Sequence, residues 1–194
     1  MAGLLILTAG GLLMLVMAAT GLRLRRAGCT ITGKSPVSRP LFLAGKAAMG
    51  LLWGLALWQA SVDLLHGTGG DFIRLEWIGA VLFALGCGVA VAGFSALGLE
   101  SRFGLPDGYC RLKTSGIYGW CRHPMYVGFY LMALGSCLFV FNALSAGCLV
   151  LTVGVHHRVV LAEERFMARH FGPAWLDYAA RVRRYGGFPG RMKT

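Results

Sequence analysis

The chain has 194 residues, 56% of them hydrophobic and 14% charged, with a formal net charge of +11 and a mean hydropathy of +0.63. Soluble domains carry about 25% charged residues, so a disordered tail, a collagen-like repeat and a soluble enzyme around one apolar core are excluded. The composition describes a small all-α integral membrane protein; its 29 glycines suit close helix packing in lipid, and its charges must be placed along the chain before they are interpreted.

A helix crosses the hydrocarbon layer in roughly 20 apolar residues. Runs of suitable length are Leu4 to Leu22, Leu41 to Val62 and Trp77 to Leu99. Lys46 is the one charge in the second run, close enough to its start to snorkel outward. Met125 to Phe141 and Ala143 to Val155 are shorter, are separated by Asn142, and predict a helix-turn-helix hairpin. The second of these continues past the bilayer through His156, His157 and Arg158. Five spans are therefore expected, with residues 1–99 forming three helices and residues 100–194 a region of loop, hairpin and tail.

Charge sets the expected orientation. Arg23, Arg25 and Arg26 follow the first run and no basic residue precedes it, which is the wrong flank for a cleaved signal peptide. The segment 23–40 carries five basic residues and no acid, with Lys34 and Arg39 completing the set. The next loop is net acidic through Asp63, Asp71 and Glu76, the third loop is net basic, and so is the tail from Arg158 onward. This alternation predicts a multi-pass protein with its N-terminus outside and both the third loop and the C-terminus in the cytoplasm, at the inner membrane if the source is bacterial. Most of the +11 is then topology. The two long polar segments share one face, and no internal repeat of the transporter kind is present.

The third loop ends in Leu112-Lys-Thr-Ser-Gly-Ile-Tyr118, followed by Gly-Trp-Cys-Arg122-His123-Pro124-Met125-Tyr126. Proline suits the first position of a helix, so Pro124 is expected to open the fourth span. Arg122 and His123 then stand beside a helix N-terminus, where backbone N–H groups and the dipole favour an anion such as a carboxylate. The plainer alternative is a proline-capped helix with an interfacial arginine and two tyrosines in an aromatic belt. Past the fifth span come His156, His157, Arg158 and then Glu163-Glu164. On a continuing helix His156, Val160, Glu163 and Met167 share a face. A paired acid there suits a cation, or else forms a solvated helix end salt-bridged to Arg165 and Arg169.

Other chemistries fit less well. His156-His157 and the set Cys110, Cys121 and His123 lack metal-ligand spacing, so no metal is expected. Cys87, Cys137 and Cys148 fall within spans, while Cys29, Cys110 and Cys121 fall on the cytoplasmic side where thiols stay reduced. The basic tail with Trp175, Tyr178 and Tyr185 reads as a segment attracted to anionic lipid rather than as a nucleic-acid site.

From Leu112 to Tyr185 the chain resembles the isoprenylcysteine carboxyl methyltransferase family, within the wider group of phospholipid methyltransferases. The resemblance rests on Leu112, Gly116 and Tyr118, on Arg122-His-Pro-x-Tyr126, on the hairpin, and on Glu163-Glu164. Phe171-Gly172, Trp175, Tyr178 and Arg181-Val182 then follow in order. It implies an S-adenosylmethionine-dependent methyltransferase acting on a lipid-like or prenylated acceptor. The cofactor contacts it implies are Cys110, Arg111, Leu112, Lys113, Tyr118, His123, Pro124, Met125, Tyr126 and Glu163. A carboxylate acceptor would need a positioning cation, for which Arg158 is the candidate; an amine acceptor would need to lose a proton, a task for Glu164. Two positions depart from the family. Histidine is usual where Cys110 stands, and the substrate-side arginine is usual where Val159 stands, one place from Arg158.

The resemblance favours O-methylation of an isoprenylcysteine-like carboxylate. Phospholipid amine N-methylation, an NADPH-dependent membrane reductase and a non-catalytic membrane accessory protein are the alternatives.

Overall fold

The computed structural model describes residues 1–26, 35–67, 73–98 and 111–186. All regular structure in these residues is helical: α1 Ala2–Arg26, α2 Arg39–His66, α3 Ile73–Leu97, α4 Pro124–Phe139, α5 Ala143–Phe171 and α6 Pro173–Arg181, with a 3-10 turn at Gly116–Gly119 before α4. Four helices, α1, α2, α3 and α5, are long and apolar enough to cross a membrane. Leu12, Leu15, Trp58, Leu65 and Val150 project from these helices as exposed apolar side chains, the surface that lipid would cover. The fourth predicted run differs. Its helix has 16 residues, about 24 Å of rise against a hydrocarbon layer of about 30 Å, because it starts at Pro124 and breaks at Val140 before the turn.

Backbones touch between α3 and α4. Gly79, Gly86 and Gly93 recur every seven residues and so share a face of α3; Gly128 and Gly135 do the same on α4. A methyl group on Gly86 would stand 2.6 Å from the Gly128 carbonyl oxygen, and one on Gly135 would stand 2.5 Å from the Phe83 nitrogen. No larger residue fits, and the two helices pack antiparallel along this seam. A similar approach joins α2 to α5, where a methyl on Gly45 would meet Val155 at 2.5 Å. Phe83, Ile6, Leu13, Leu52 and Met132 are fully buried in the interior.

The α4–α5 hairpin turns on Asn142. Its side chain accepts from the Ser145 N–H at 2.9 Å, and the Ser145 hydroxyl accepts from the Asn142 N–H at 3.1 Å. From there α5 runs unbroken to Phe171, so the predicted extension through His156, His157 and Arg158 is one continuous helix. Gly172 ends it at φ +53°, a conformation for which glycine is suited, and Pro173 at once starts α6. The sharp bend folds α6 back so that Trp175 and Tyr178 are buried.

Candidate functional site

Proline fixes the geometry at the foot of α4. Pro124 occupies the first helical position, and His123, restricted by the proline after it, is the N-cap at φ −130° and ψ 58°. The preceding chain is pinned on both sides. Tyr118 is buried and donates its hydroxyl to the Gly93 carbonyl of α3 at 3.4 Å. Tyr178 of α6 donates to the Tyr118 carbonyl at 2.7 Å. Burial raises both phenols above their ordinary range, Tyr178 to about 12, so both remain hydrogen-bond donors at neutral pH.

After α6 the chain returns as a strap against this foot. The Arg122 and His123 N–H groups donate to the carbonyls of Arg183 (3.0 Å) and Arg184 (3.2 Å), and the Cys121 thiol donates to the Arg184 carbonyl at 3.3 Å. Further along, Tyr185 meets His157 Nδ1 at 2.6 Å and Tyr130 at 3.4 Å through its hydroxyl.

Two adjacent carboxylates of α5 complete the cluster and divide the work. Glu164 Oε1 faces His123 Nε2 at 3.2 Å, Arg122 Nη1 at 3.3 Å and Arg184 Nε at 3.0 Å, while Oε2 takes Arg184 Nη2 at 2.7 Å. Both of its oxygens are thus engaged. Glu163 instead accepts the Tyr126 hydroxyl at 2.7 Å and stands 3.9 Å from His123 Nδ1, so each nitrogen of the His123 ring faces a carboxylate. The Arg122 guanidinium lies 5.9 Å from the Trp175 ring centre, and its Nε–H is buried without an acceptor among the described residues.

The structure therefore brings together Tyr118, His123, Pro124, Met125, Tyr126, Glu163 and Glu164. Neither tyrosine is a belt anchor, because both hydroxyls are bonded inside the protein. Arg165 and Arg169, expected as partners of the acid pair, are exposed; its actual partners come from α4 and the strap. Leu112 is half-buried, and Arg111 and Lys113 are exposed. Cys110 lies outside the described residues. Arg158 is exposed while Val159 beside it is buried, so Arg158 is not among the groups gathered at His123. Arg184 and its contact with Glu164 were not foreseen, since the tail's basic residues read as lipid-facing; Arg184's place directly before Tyr185, at the end of the resembling segment, was the available signal.

These features define a multi-pass helical membrane protein with a polar cluster where a helix hairpin, a preceding loop and a following strap meet. The chain belongs to the phospholipid methyltransferase family, whose model matches residues 75–174, just over half of it. It is similar to the protein-S-isoprenylcysteine O-methyltransferase of Mus musculus, with 40% identity over 72 residues, 37% of this chain and 25% of that protein. The Saccharomyces cerevisiae protein of the same name is 32% identical over 75 residues, 37% of this chain and 30% of that one. The Arabidopsis thaliana protein-S-isoprenylcysteine O-methyltransferase B is 32% identical over 73 residues, 37% of each. The matched part thus spans between a quarter and somewhat over a third of these relatives' length. No solved structure matches the chain.

Proposed function

We propose that the chain is an S-adenosylmethionine-dependent membrane methyltransferase acting on a lipid-like acceptor, with the carboxylate of an isoprenylcysteine-like molecule as the favoured substrate. The observation that carries this reading is the foot of α4. There Pro124 opens the helix, and the first-turn N–H groups of Met125 and Tyr126 have no partner within the helix. Arg122 adds a buried Nε–H in need of an acceptor. Such a foot fits an amino-acid carboxylate, and Glu163 with Tyr126 fits ammonium and hydroxyl donors.

When bound, S-adenosylmethionine supplies a methyl group already activated on a sulfonium, so a carboxylate acceptor takes it with no proton to move. The protein's task is orientation and exclusion of water. In this reading Glu164 is a positioning residue, since His123, Arg122 and Arg184 occupy its oxygens. It holds the His123 ring at the helix foot and fastens the strap beside it. The chemistry belongs to residues 100–194. α4 is the fourth of five spans, and its shortness draws His123 into the membrane, where a lipid-like acceptor arrives sideways while the cofactor arrives from the cytoplasm.

Calorimetric titration of the detergent-purified chain with S-adenosylhomocysteine, against NADPH as control, tests the class. Saturable binding of S-adenosylhomocysteine alone is expected. Binding of NADPH alone would replace this reading with a reductase. Methyl transfer to S-farnesylcysteine, compared with phosphatidylethanolamine vesicles, then separates carboxylate O-methylation from the amine N-methylation that the family's description also permits.

A further inference from the structure

A second set of polar residues lies in the same end of the bundle, earlier on α5 than the acid pair. His156 of α5 is 5% exposed. Its Nδ1–H donates to the Thr152 carbonyl of its own helix at 2.8 Å, which leaves Nε2 as the lone-pair atom of the neutral ring. The ring centre is 6.1 Å from that of Tyr126, the residue that grips Glu163. Across from it runs α2. Gly45 and Val155 form the close contact between α2 and α5, so the next residue on each helix, Lys46 and His156, flanks that contact.

Lys46 is half-buried, and its ammonium lies over the Phe42 ring, 4.3 Å from the ring centre. That contact directs it toward the start of α2, the end of the bundle at which α4 begins and α5 leaves. An ionisable residue inside a membrane helix carries a desolvation penalty that structure alone does not reward, and such residues mark substrate paths. Phe129 packs against Tyr126, with Trp53, Phe94 and Tyr126 all within 6.2 Å of it by ring centres. Tyr126 thus links an aromatic wall to the buried imidazole, and such a wall with an ammonium on the adjoining helix suits a lipid with an acidic headgroup.

We infer that Lys46, steadied by His156, is the anchor for the acid group of the lipid-like acceptor. This deepens the proposed function and rests on it. The residues that hold the cofactor in that reading lie within the matched segment 75–174, or just beyond it in the strap, and Lys46 lies outside it. Acceptor choice is then made by α2, separately from cofactor binding. The anchored group is an anion, either the carboxylate of a prenylcysteine or the phosphate of a phospholipid.

The test uses the full chain reconstituted in lipid nanodiscs, with Lys46→Met, Lys46→Arg and, as an exposed cation of α5 outside the site, Arg169→Met. Binding of S-farnesylcysteine and of its uncharged amide is measured on protein saturated with S-adenosylhomocysteine, and the KM for methyl transfer to S-farnesylcysteine or to phosphatidylethanolamine is measured in parallel. Loss of one charge-assisted contact predicts a KM raised about tenfold or more in Lys46→Met, with kcat and S-adenosylhomocysteine affinity within about twofold of wild type. Lys46→Arg restores most of the loss, and Arg169→Met behaves as wild type. If the acid is preferred over the amide in wild type and equally in Lys46→Met, and the phosphatidylethanolamine KM is unchanged as well, the anchor is elsewhere and the inference falls while the methyltransferase reading stands. A wild-type chain that binds no S-adenosylhomocysteine removes that reading itself. If only the phosphatidylethanolamine KM responds to Lys46→Met, the anchored group is the phosphate.

Discussion

Arg184 clasps Glu164 with two nitrogens, Nε at 3.0 Å and Nη2 at 2.7 Å, across 20 residues of chain that include the whole turn into α6. The fork geometry ties the strap to α5, and the same carboxylate reaches His123 and Arg122. Glu164→Gln keeps the shape and removes the charge that three donors share. The expected loss is about 2 kcal/mol of stability, seen as a lower melting temperature in detergent, together with weaker S-adenosylhomocysteine binding. Arg184→Met should cost less, because its side chain is 33% exposed and partly screened. A Glu164→Gln protein that melts and binds as wild type would show that the clasp holds nothing.

The hydroxyl of Tyr126 and the carboxylate of Glu163 meet at 2.7 Å, half-buried. Tyr126→Phe leaves the carboxylate one donor short, and Glu163→Gln leaves the phenol facing an amide. Both are expected to weaken S-adenosylhomocysteine binding about tenfold, and the double variant by clearly less than the product, because the two act as one unit. Calorimetry on the four proteins decides the matter; strictly multiplicative losses would show that the pair is not a unit.

Gly86 and Gly135 sit where helix backbones touch, whereas a methyl on Gly50 meets nothing within 4 Å. Gly86→Val must force α3 from α4, with an expected loss of about 3 kcal/mol or more, as overpacking of a tight interface gives. Gly50→Ala should be neutral. Size-exclusion profiles and melting in detergent report both, and a well-folded Gly86→Val protein would contradict the seam.

Cys121 is buried, and burial raises its thiol above the usual range although Arg122 pulls the other way. Thiolate is the reactive form. With Cys29 and Cys110 replaced by serine, maleimide labelling of Cys121 should be slow at neutral pH and should accelerate as pH rises through and past the ordinary thiol range. Arg184→Met, by loosening the strap whose carbonyl takes the thiol hydrogen at 3.3 Å, should speed labelling at fixed pH. Equal rates in the two proteins would mean that the strap does not shield Cys121.

Local chemistry along the chain determined much of this protein. Apolar runs marked the helices because a backbone in lipid must bond to itself. Pro124 marked the start of α4 and Asn142 the hairpin turn, since each acts on its own few residues. The spacing from His156 to Glu163 put both on one side of a long helix, while it was the family resemblance that joined the Arg-His-Pro segment to the acid pair. Only the tertiary structure decided which charges meet. Sequence proximity offered Arg165 and Arg169 to the acid pair, yet both face outward, and Arg122, His123 and Arg184 take their place. Register sets Arg158 in the same way: one residue turns a helix by about 100°, and the packing of α5 exposes Arg158 and buries Val159. Lys46 read as a snorkelling charge, and the close contact at Gly45 seats its helix against the stretch of α5 that carries His156. Pairings between distant segments depend on how helices seat against one another, and that is fixed by the summed shape of many side chains rather than by any short stretch of sequence.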